Sequence, residues 1–175
     1  MSLDVSLYLE QSIEISGTGI FVRDGGRTRE LSAEEARARY PDAVIEERKY
    51  YTDCVYDWNI THNLVEMAEA AGLYKPLWRP YMLLPEWDDS AGIDEYEFEQ
   101  GHAVLAKDIM GYIAIGYSKL ISDPEHYKTF NPSNGWGSYE GLVEFTYTYL
   151  KACVDNPLAI VKVDRQYGKD VFSML

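Results

Sequence analysis

The amino-acid sequence predicts an α+β protein, because strand patterns come first, helix patterns follow and one strand pattern ends the chain. Apolar and polar residues alternate from Leu3 to Glu10, the pattern of a half-buried strand. Residues 139–156 repeat apolar side chains at helical spacing, and the run 159–165 then favours a last strand. We therefore predict a mixed or antiparallel sheet with a strand-rich N-terminal part, three main helices packed on it and a final C-terminal strand.

Turn and capping signals predict the other elements of the N-terminal third. Asp24-Gly25-Gly26 is a hairpin turn, and Ser32-Ala33-Glu34-Glu35 is a capping box that starts a helix. The first strand and Ile160–Val163 are expected near the centre of the sheet. The predicted elements here are a second strand at Ile13 and Ile15, hairpin strands at 20–23 and 27–31, a short helix to Arg39 and a strand over 44–55.

An apolar stripe with helical period begins at Ile60 and ends before Gly72. It predicts a helix that starts near Ile60 with Asn59 as its N-cap, which places His62 and Asn63 in the first turn. Unpaired N–H groups and the positive end of the helix dipole lie in that turn.

Four segments follow between this helix and the final helix and strand. Residues 75–80 contain two prolines and predict a rigid connector that presents Trp78 and Arg79. Residues 86–99 are rich in Asp and Glu, contain no Lys or Arg, and predict a mobile or peripheral acidic loop. The longest helix is predicted over 101–122, and a short helical turn over 124–130.

Length and composition favour one globular domain spanning residues 1–175, with the acidic segment inserted in it. The hydrophobic fraction of 46% argues against disorder. The formal charge of -13 disfavours direct nucleic-acid binding. No apolar run is long enough to span a bilayer and the N-terminus lacks a signal-peptide pattern, so we expect a cytoplasmic protein that does not enter membranes.

Metal and cofactor signatures are not found in the sequence, and we predict neither. Cys54 and Cys153 are too few for a disulfide framework or a zinc site, and buried free thiols are expected. The acidic segment lacks the spacing of a calcium loop. The sequence contains no nucleophile motif of the Gly-x-Ser-x-Gly or Cys–His kind.

The densest group of unusual residues is the loop Asn131-Pro132-Ser133-Asn134-Gly135-Trp136-Gly137-Ser138. Its Asn-Pro and Asn-Gly pairs are turn signals, and a tryptophan between two glycines predicts either a lid over a ligand or a plug for the core. We hypothesise that this loop meets the other polar and aromatic candidates around one anion-selective pocket. The predicted ligand-binding residues are Asn59, His62, Asn63, Trp78, Arg79, Asn134, Trp136 and Tyr139.

Several of these candidates also have a purely structural interpretation, and the sequence does not decide between the two. His62 and Asn63 are suited to capping a helix and bonding local backbone. Trp78 can be a core side chain beside a solvated Arg79. Trp136 can be a buried ring in a structured turn.

Several motifs resemble a group of small bacteriophage and prophage proteins to which no activity is assigned. They are Leu3-Asp4-Val5, Asn59-Ile60-Thr61-His62-Asn63-Leu64, Leu77-Trp78-Arg79-Pro80, the loop 131–137 with Tyr139-Glu140, and Cys153 before Asn156-Pro157. The resemblance covers most of the chain, with departures at 10–50 and 81–99. It implies a phage or mobile-element source and a place in the host cytoplasm, and it adds no chemistry.

Three function hypotheses follow. The first is a phage accessory protein that binds a small polar, anionic or planar ligand such as a nucleotide, in a counter-defence role that only the resemblance suggests. The second is an acidic inhibitor or nucleic-acid mimic that binds a basic host protein. The third is a small hydrolase that uses His62 as its base. Catalysis is the less favoured class, catalytic residues are not identified, and homo-oligomers are left open.

Overall fold

The first strand, β1 (Ser2–Tyr8), is the central strand of a three-stranded antiparallel sheet in a computed structural model of the chain. The structure describes residues 2–9, 14–45, 48–51 and 54–165. The chain divides into two units, one formed by Met1–Glu10 with Cys54–Leu175 and the other by Gln11–Asp53. The predicted α+β class is confirmed.

The second unit contains two small antiparallel pairs and one helix. Strand β2 (Glu14–Gly17) pairs with β5 (Arg48–Tyr51), and β3 (Phe21–Asp24) pairs with β4 (Arg27–Glu30) through the predicted hairpin. Helix α1 (Ala33–Arg39) begins at the predicted capping box, in which Ser32 and Glu35 bond each other's backbone amides. The strand predicted over 44–55 was wrong as one element, because β5 and the next strand are separate. Ile13 and the tail after Arg165 lie outside the described residues.

The main sheet has the order β6–β1–β7, with β6 (Cys54–Thr61) and β7 (Ile160–Arg165) on either side of β1. The prediction that the last strand lies near the sheet centre was wrong, because β7 is at an edge. Its apolar start is covered on the outer side by an extended segment, where Val161 N donates to Val104 O at 2.8 Å. Because this segment shields the edge, β7 can contain the apolar residues that are usual in a central strand.

The helices of the first unit are two long and several short segments. None of the helices in the described ranges combines the length and apolar content that crossing a membrane requires. The segments are α2 (Val65–Ala70), α3 (Tyr74–Trp78), α4 (Glu95–Gly101), α5 (Ala106–Ser122), α6 (Pro124–Lys128) and α7 (Tyr139–Asp155), with 3₁₀ turns at His62–Leu64 and Pro80–Leu83.

One face of β1 supplies the core with fully buried Leu3, Val5 and Leu7. The inner faces of α5 and α7 contribute the same kind of contact, including Ile109 and Tyr149 at 0% exposure. Burial of such side chains stabilises the fold by roughly 1.5–3 kcal/mol each. The sheet, α5 and α7 therefore hold the remaining segments of this unit in place.

The helix predicted from Ile60 was wrong in its start and its cap. Strand β6 continues to Thr61, and the Thr61 hydroxyl, rather than the Asn59 side chain, accepts the Asn63 amide at 3.3 Å. Ile60 lies opposite Leu3 in the sheet, so it belongs to the strand pattern as well as to the helical stripe that includes Leu64. His62 and Asn63 consequently lie in a 3₁₀ turn.

Three further predictions between residues 74 and 106 were wrong in part. The connector at 75–80 is largely helix α3, which accepts Pro76 in its first turns. The acidic loop ends in helix α4, which buries Phe98 against Tyr81 and Trp87. The long helix starts only at 106, because the residues before it extend along β7 and form a bridge between Leu105 and Ile160.

Candidate functional site

His62 lies between the first residue of β1 and helix α3. The Trp78 indole Nε1–H donates to His62 Nδ1 at 3.0 Å, and His62 Nε2 lies 2.8 Å from the Ser2 carbonyl oxygen. Because an indole N–H can only donate, Nδ1 accepts and Nε2 carries the proton. Both ring nitrogens of a neutral imidazole are thus engaged by structural partners.

Burial of the ring is the main cause that lowers the pKa of His62 below its usual 6.5, although the hydrogen bond to the Ser2 carbonyl raises it. The neutral form is also the form that the hydrogen bonds require. A second proton would have to sit on Nδ1, facing the indole N–H of Trp78. This geometry joins β1 to α3 and leaves neither nitrogen positioned as a general base.

Trp78 packs against its own helix α3, and Arg79 is held by helix α4. Trp78 is 2% exposed and stacks on Tyr74 with ring centroids 6.1 Å apart. Arg79 Nη1 forms an ion pair with Glu95 Oε2, and Arg79 Nε donates to the Tyr74 hydroxyl at 3.4 Å. The Arg79 charge is therefore compensated within the protein. We call Ser2, His62, Tyr74, Trp78, Arg79 and Glu95 the closed cluster.

A second partly buried arginine strengthens the same junction. Arg165 Nη2 donates to Glu99 Oε2 at 2.7 Å, and Arg165 Nη1 donates to the Trp78 carbonyl oxygen at 2.8 Å. Its guanidinium also lies 5.9 Å from the centroid of the Tyr81 ring. Burial, with the Glu95 carboxylate next in importance, raises the pKa of the Tyr81 hydroxyl.

Several carboxylates of the acidic segment are thus engaged in ion pairs and hydrogen bonds within the protein. Glu95 and Glu99 lie one helical turn apart and pair with the two arginines. Asp94 caps α4 through the amide of Glu97, and Asp89 accepts the indole N–H of Trp87 at 2.7 Å. Sequence reasoning missed these pairings because the partners of Glu95 and Glu99 are distant in the chain.

The loop 131–138 has a defined turn structure. Gly135 and Gly137 have φ of 74° and 99°, in the left-handed region that only glycine adopts readily. Asn134 Oδ1 accepts the Trp136 amide at 2.9 Å, which closes an Asx turn. A Cβ on Gly137 would lie 2.7 Å from Thr61 Cγ2, so the loop backbone is packed directly against the end of β6.

Two side chains cap the start of α7. Asn131 Oδ1 accepts the Tyr139 amide at 2.7 Å, and Ser138 Oγ accepts the Gly141 amide at 3.1 Å. The Tyr139 hydroxyl is buried and donates to the Leu120 carbonyl oxygen at 2.8 Å. These amides are therefore engaged, and Tyr139 joins α7 to the end of α5.

An open crevice of ≈ 400 Å³ lies where the loop meets the turn after β6. Asn63 and Glu66 line one side of it, and residues 129–134 line the other. Trp136 lies two residues beyond the crevice wall and is 71% exposed. We call Asn63, Glu66 and residues 129–134 the amide crevice. Two of its residues, Asn63 and Asn134, were among the predicted ligand-binding residues. Glu66 was not, because nothing in the sequence distinguishes it from any other exposed carboxylate on a helix.

The structure therefore separates the eight predicted residues into four groups. Asn63 and Asn134 come together at the amide crevice, and Trp136 lies on the same loop, outside the residues that line the crevice. His62, Trp78 and Arg79 belong to the closed cluster. Tyr139 is buried under the start of α7. Asn59 lies on the open face of the sheet, beside Asp4, Asp57 and Trp58.

Among the residues that the structure describes, no three His, Cys, Asp or Glu side chains are arranged to hold a metal ion. Both cysteines were expected to be buried. Cys153 is buried, but Cys54 is exposed. Burial raises the pKa of the Cys153 thiol to about 12, which makes it unreactive at neutral pH.

Comparisons with models of protein families, with curated proteins and with solved structures return no match to this chain. The structure by itself thus defines an α+β fold that contains a closed polar cluster and, beside it in the sequence, an open crevice.

Proposed function

We propose that this chain is a non-catalytic binder of a small, planar, polar molecule, with a nucleotide held through its base as the leading candidate. The observation that carries the proposal is Trp136, an exposed ring on a loop fixed by two left-handed glycines and an Asx turn. An ordered loop that presents a large aromatic ring to solvent provides a stacking surface at low entropic cost.

The neighbouring crevice supplies the polar half of such a site. The side-chain amides of Asn63 and Asn134 can donate and accept at the edge of a planar ring, as asparagine does with adenine. The Glu66 carboxylate can accept from ring N–H or amino groups. No lysine or arginine lines the described walls of the crevice, so recognition would centre on the base while the phosphates remain in solvent. The proposed ligand is therefore recognised by its planar ring rather than by its negative charge, unlike the anion-selective pocket expected from the sequence.

The hydrolase hypothesis gains no support from the geometry, because both nitrogens of His62 are committed to Ser2 and Trp78. The proposed setting, an accessory protein of a phage or mobile element in the host cytoplasm, rests on the sequence resemblance alone.

Thermal unfolding with a panel of nucleosides, nucleotides and free bases tests the proposal. A ligand at a hundredfold excess over its Kd should stabilise the protein by about 2.7 kcal/mol. Trp136→Ala should abolish that stabilisation, whereas Trp58→Ala, at a tryptophan 43% exposed on β6, should leave it unchanged. Absence of stabilisation by every compound, or equal loss in both variants, would contradict the proposal.

A second candidate is an acidic protein that binds a basic partner protein, and the open face of the sheet favours it. Asp4 and Asp164 are directly opposite each other on β1 and β7, and Asp57 lies on the same face. Lys162, opposite Ser6, also lies on this face, so these described residues amount to three carboxylates and one lysine, and a basic surface would be attracted to the excess negative charge. Capture of a basic host protein that salt releases, and that Asp4→Asn with Asp164→Asn weakens, would support this alternative over the first.

A further inference from the structure

The two walls of the amide crevice differ in the hydrogen-bonding groups that they offer to a ligand. On the loop wall, Asn134 Oδ1 accepts the Trp136 amide at 2.9 Å. Asn131 Oδ1, on the same wall, accepts the Tyr139 amide at 2.7 Å. A backbone N–H can only donate, so these contacts fix which atom of each side-chain amide is the oxygen. The two amino groups therefore remain as the donors of the loop wall.

The other wall offers the opposite kind of group. Glu66 lies three residues after Asn63, and both line the crevice with exposed side chains. The two oxygens of the Glu66 carboxylate can only accept hydrogen bonds, whereas the Asn63 amide can turn to donate or to accept. A planar molecule that fits the crevice should therefore direct two neighbouring donors toward Glu66 and its acceptors toward the loop.

Among the common bases, guanine matches this division. Its O6 and N7 atoms form an edge of two acceptors, and its N1–H and N2 amino group form an edge of two donors. In adenine the N6 amino group lies between the acceptors N1 and N7, so each edge mixes a donor with an acceptor. A carboxylate facing adenine would hold one oxygen against an acceptor atom and leave it unpaired. The pairing edges of cytosine and uracil each contain a single donor group.

We infer that the amide crevice selects guanine and that Glu66 is the residue that determines this specificity. The inference rests on the proposed function, because it names which base the crevice holds. The Glu66 carboxylate accepts from N1–H and from the N2 amino group, and the amino groups of Asn131 and Asn134 donate toward O6 and N7. The phosphates take no part, since no Lys or Arg lines the described walls.

Calorimetric titration with the monophosphates of guanosine, inosine, adenosine and cytidine tests the selection, because these compounds differ only in the base. The base of inosine monophosphate keeps N1–H and lacks the N2 amino group, so its Kd should be about tenfold higher than that of guanosine monophosphate. Adenine lacks both donors at this edge. Adenosine monophosphate should therefore bind about a hundredfold more weakly than guanosine monophosphate.

Glu66→Gln replaces one acceptor oxygen by a donor amino group. It should reduce the preference for guanosine over adenosine monophosphate to less than about tenfold. Glu69→Gln is the matched control, because Glu69 is exposed on the same helix and lies outside the residues that line the crevice. Both variants lose one negative charge, so an effect of net charge would appear in both. An equal change in the two variants, or an unchanged preference in Glu66→Gln, would overturn the inference.

Asn134→Asp separates the donor role of the loop wall from the turn that the same residue closes. The new carboxylate can still accept the Trp136 amide, while its second oxygen replaces the donor amino group. The affinity for guanosine monophosphate should fall by about tenfold or more, and the unfolding midpoint of the protein without ligand should stay close to that of the original chain. Unchanged affinity would contradict the assignment of donors to this wall.

The outcomes distinguish this inference from the proposed function. A nucleotide that binds in a manner dependent on Trp136, with no preference for guanine, would overturn the inference and leave the proposed function in place. Absence of binding by every nucleotide and free base tested would contradict both. A preference for guanosine monophosphate that Glu66→Gln removes and Glu69→Gln retains is the expected result.

Discussion

The closed cluster and the amide crevice are neighbours in the sequence and differ in what their polar atoms contact. His62 and Asn63 are adjacent residues, yet the His62 imidazole is bonded on both nitrogens while the Asn63 side chain lines an open crevice. Trp78 and Trp136 differ in the same way, at 2% and 71% exposure. In the closed cluster the unusual residues stabilise the fold, and in the crevice they remain available to a ligand.

This difference arises because buried polar groups must be paired within the protein. The closed cluster joins the start of β1, helix α3 and helix α4 through hydrogen bonds and an ion pair. In the loop 131–138, by contrast, the side chains of Asn131, Asn134 and Ser138 accept hydrogen bonds from nearby backbone amides. The tryptophan ring of this loop is therefore not needed to hold the loop in place. Substitutions in the closed cluster should therefore lower stability, whereas substitution of the exposed tryptophan should affect ligand binding with little effect on stability.

The largest expected loss of stability is that of Arg165→Met. It leaves Glu99, whose side chain is 24% exposed, without its partner and removes a donor from the Trp78 carbonyl oxygen. We expect roughly 2–4 kcal/mol of destabilisation in chemical unfolding. Replacing Glu99 by Met as well should recover part of that loss.

The exposed pair of Lys128 with Glu125 provides the control, and Lys128→Ala should barely move the unfolding midpoint. An equal effect of the two substitutions would contradict the structural role assigned to Arg165.

The next largest difference is expected between two glycines of the loop. Gly135→Ala should cost about 1–2 kcal/mol, because alanine is strained at a φ of 74° but meets no atom within 4 Å. Gly137→Ala should cost more, since its Cβ would also lie 2.9 Å from Leu64 Cγ. Equal costs in thermal unfolding would show that the loop is not packed against the 3₁₀ turn.

Acid should destabilise the closed cluster through His62. The folded protein keeps the imidazole neutral at a pH where the unfolded chain, with the usual pKa of 6.5, takes up a proton. The free energy of unfolding therefore falls as the pH drops below about 6.5 and continues to fall until the lowered folded pKa is reached. His62→Gln should flatten this part of the curve relative to the original chain. His126→Gln, at an exposed histidine of α6, should leave it in place.

The smallest expected change is in the stability of Trp136→Ala. Its ring is 71% exposed, so the free energy of unfolding should change by no more than about 0.5 kcal/mol. A loss of several kcal/mol would place the ring in the structural group with Trp78 and remove the main support for a binding site.

Local patterns were sufficient to predict the parts of the fold that depend on neighbouring residues. The hairpin at Asp24, the capping box at Ser32 and the helix after Ser138 were predicted from a few adjacent side chains. The start of the helix after β6 was not, because Ile60 fits strand and helix periods equally well. The edge position of β7 depends on a distant segment and has no local signal.

The sequence identified unusual polar and aromatic residues, but it predicted only in part which of them lie together. The partners of His62 and Arg79 are Trp78 and Glu95, each sixteen positions further along the chain. Nothing in the sequence near either residue shows that its charge or hydrogen-bonding capacity is already used. The proximity of Asn63 to Asn134 was expected from two helix starts, and the structure brings them together through the close contact at Gly137.

The most direct test of the distinction between the two regions uses the indole N–H resonances of the four tryptophans in a nitrogen-15 NMR titration. Those of Trp78 and Trp87 are hydrogen-bonded inside the protein, and Trp136→Phe identifies the signal of interest. We predict that a nucleotide or free base shifts the Trp136 resonance in a saturable manner and leaves that of Trp78 unchanged. A saturable shift at Trp78 with none at Trp136 would contradict the assignment of the closed cluster to structure and of the crevice to binding.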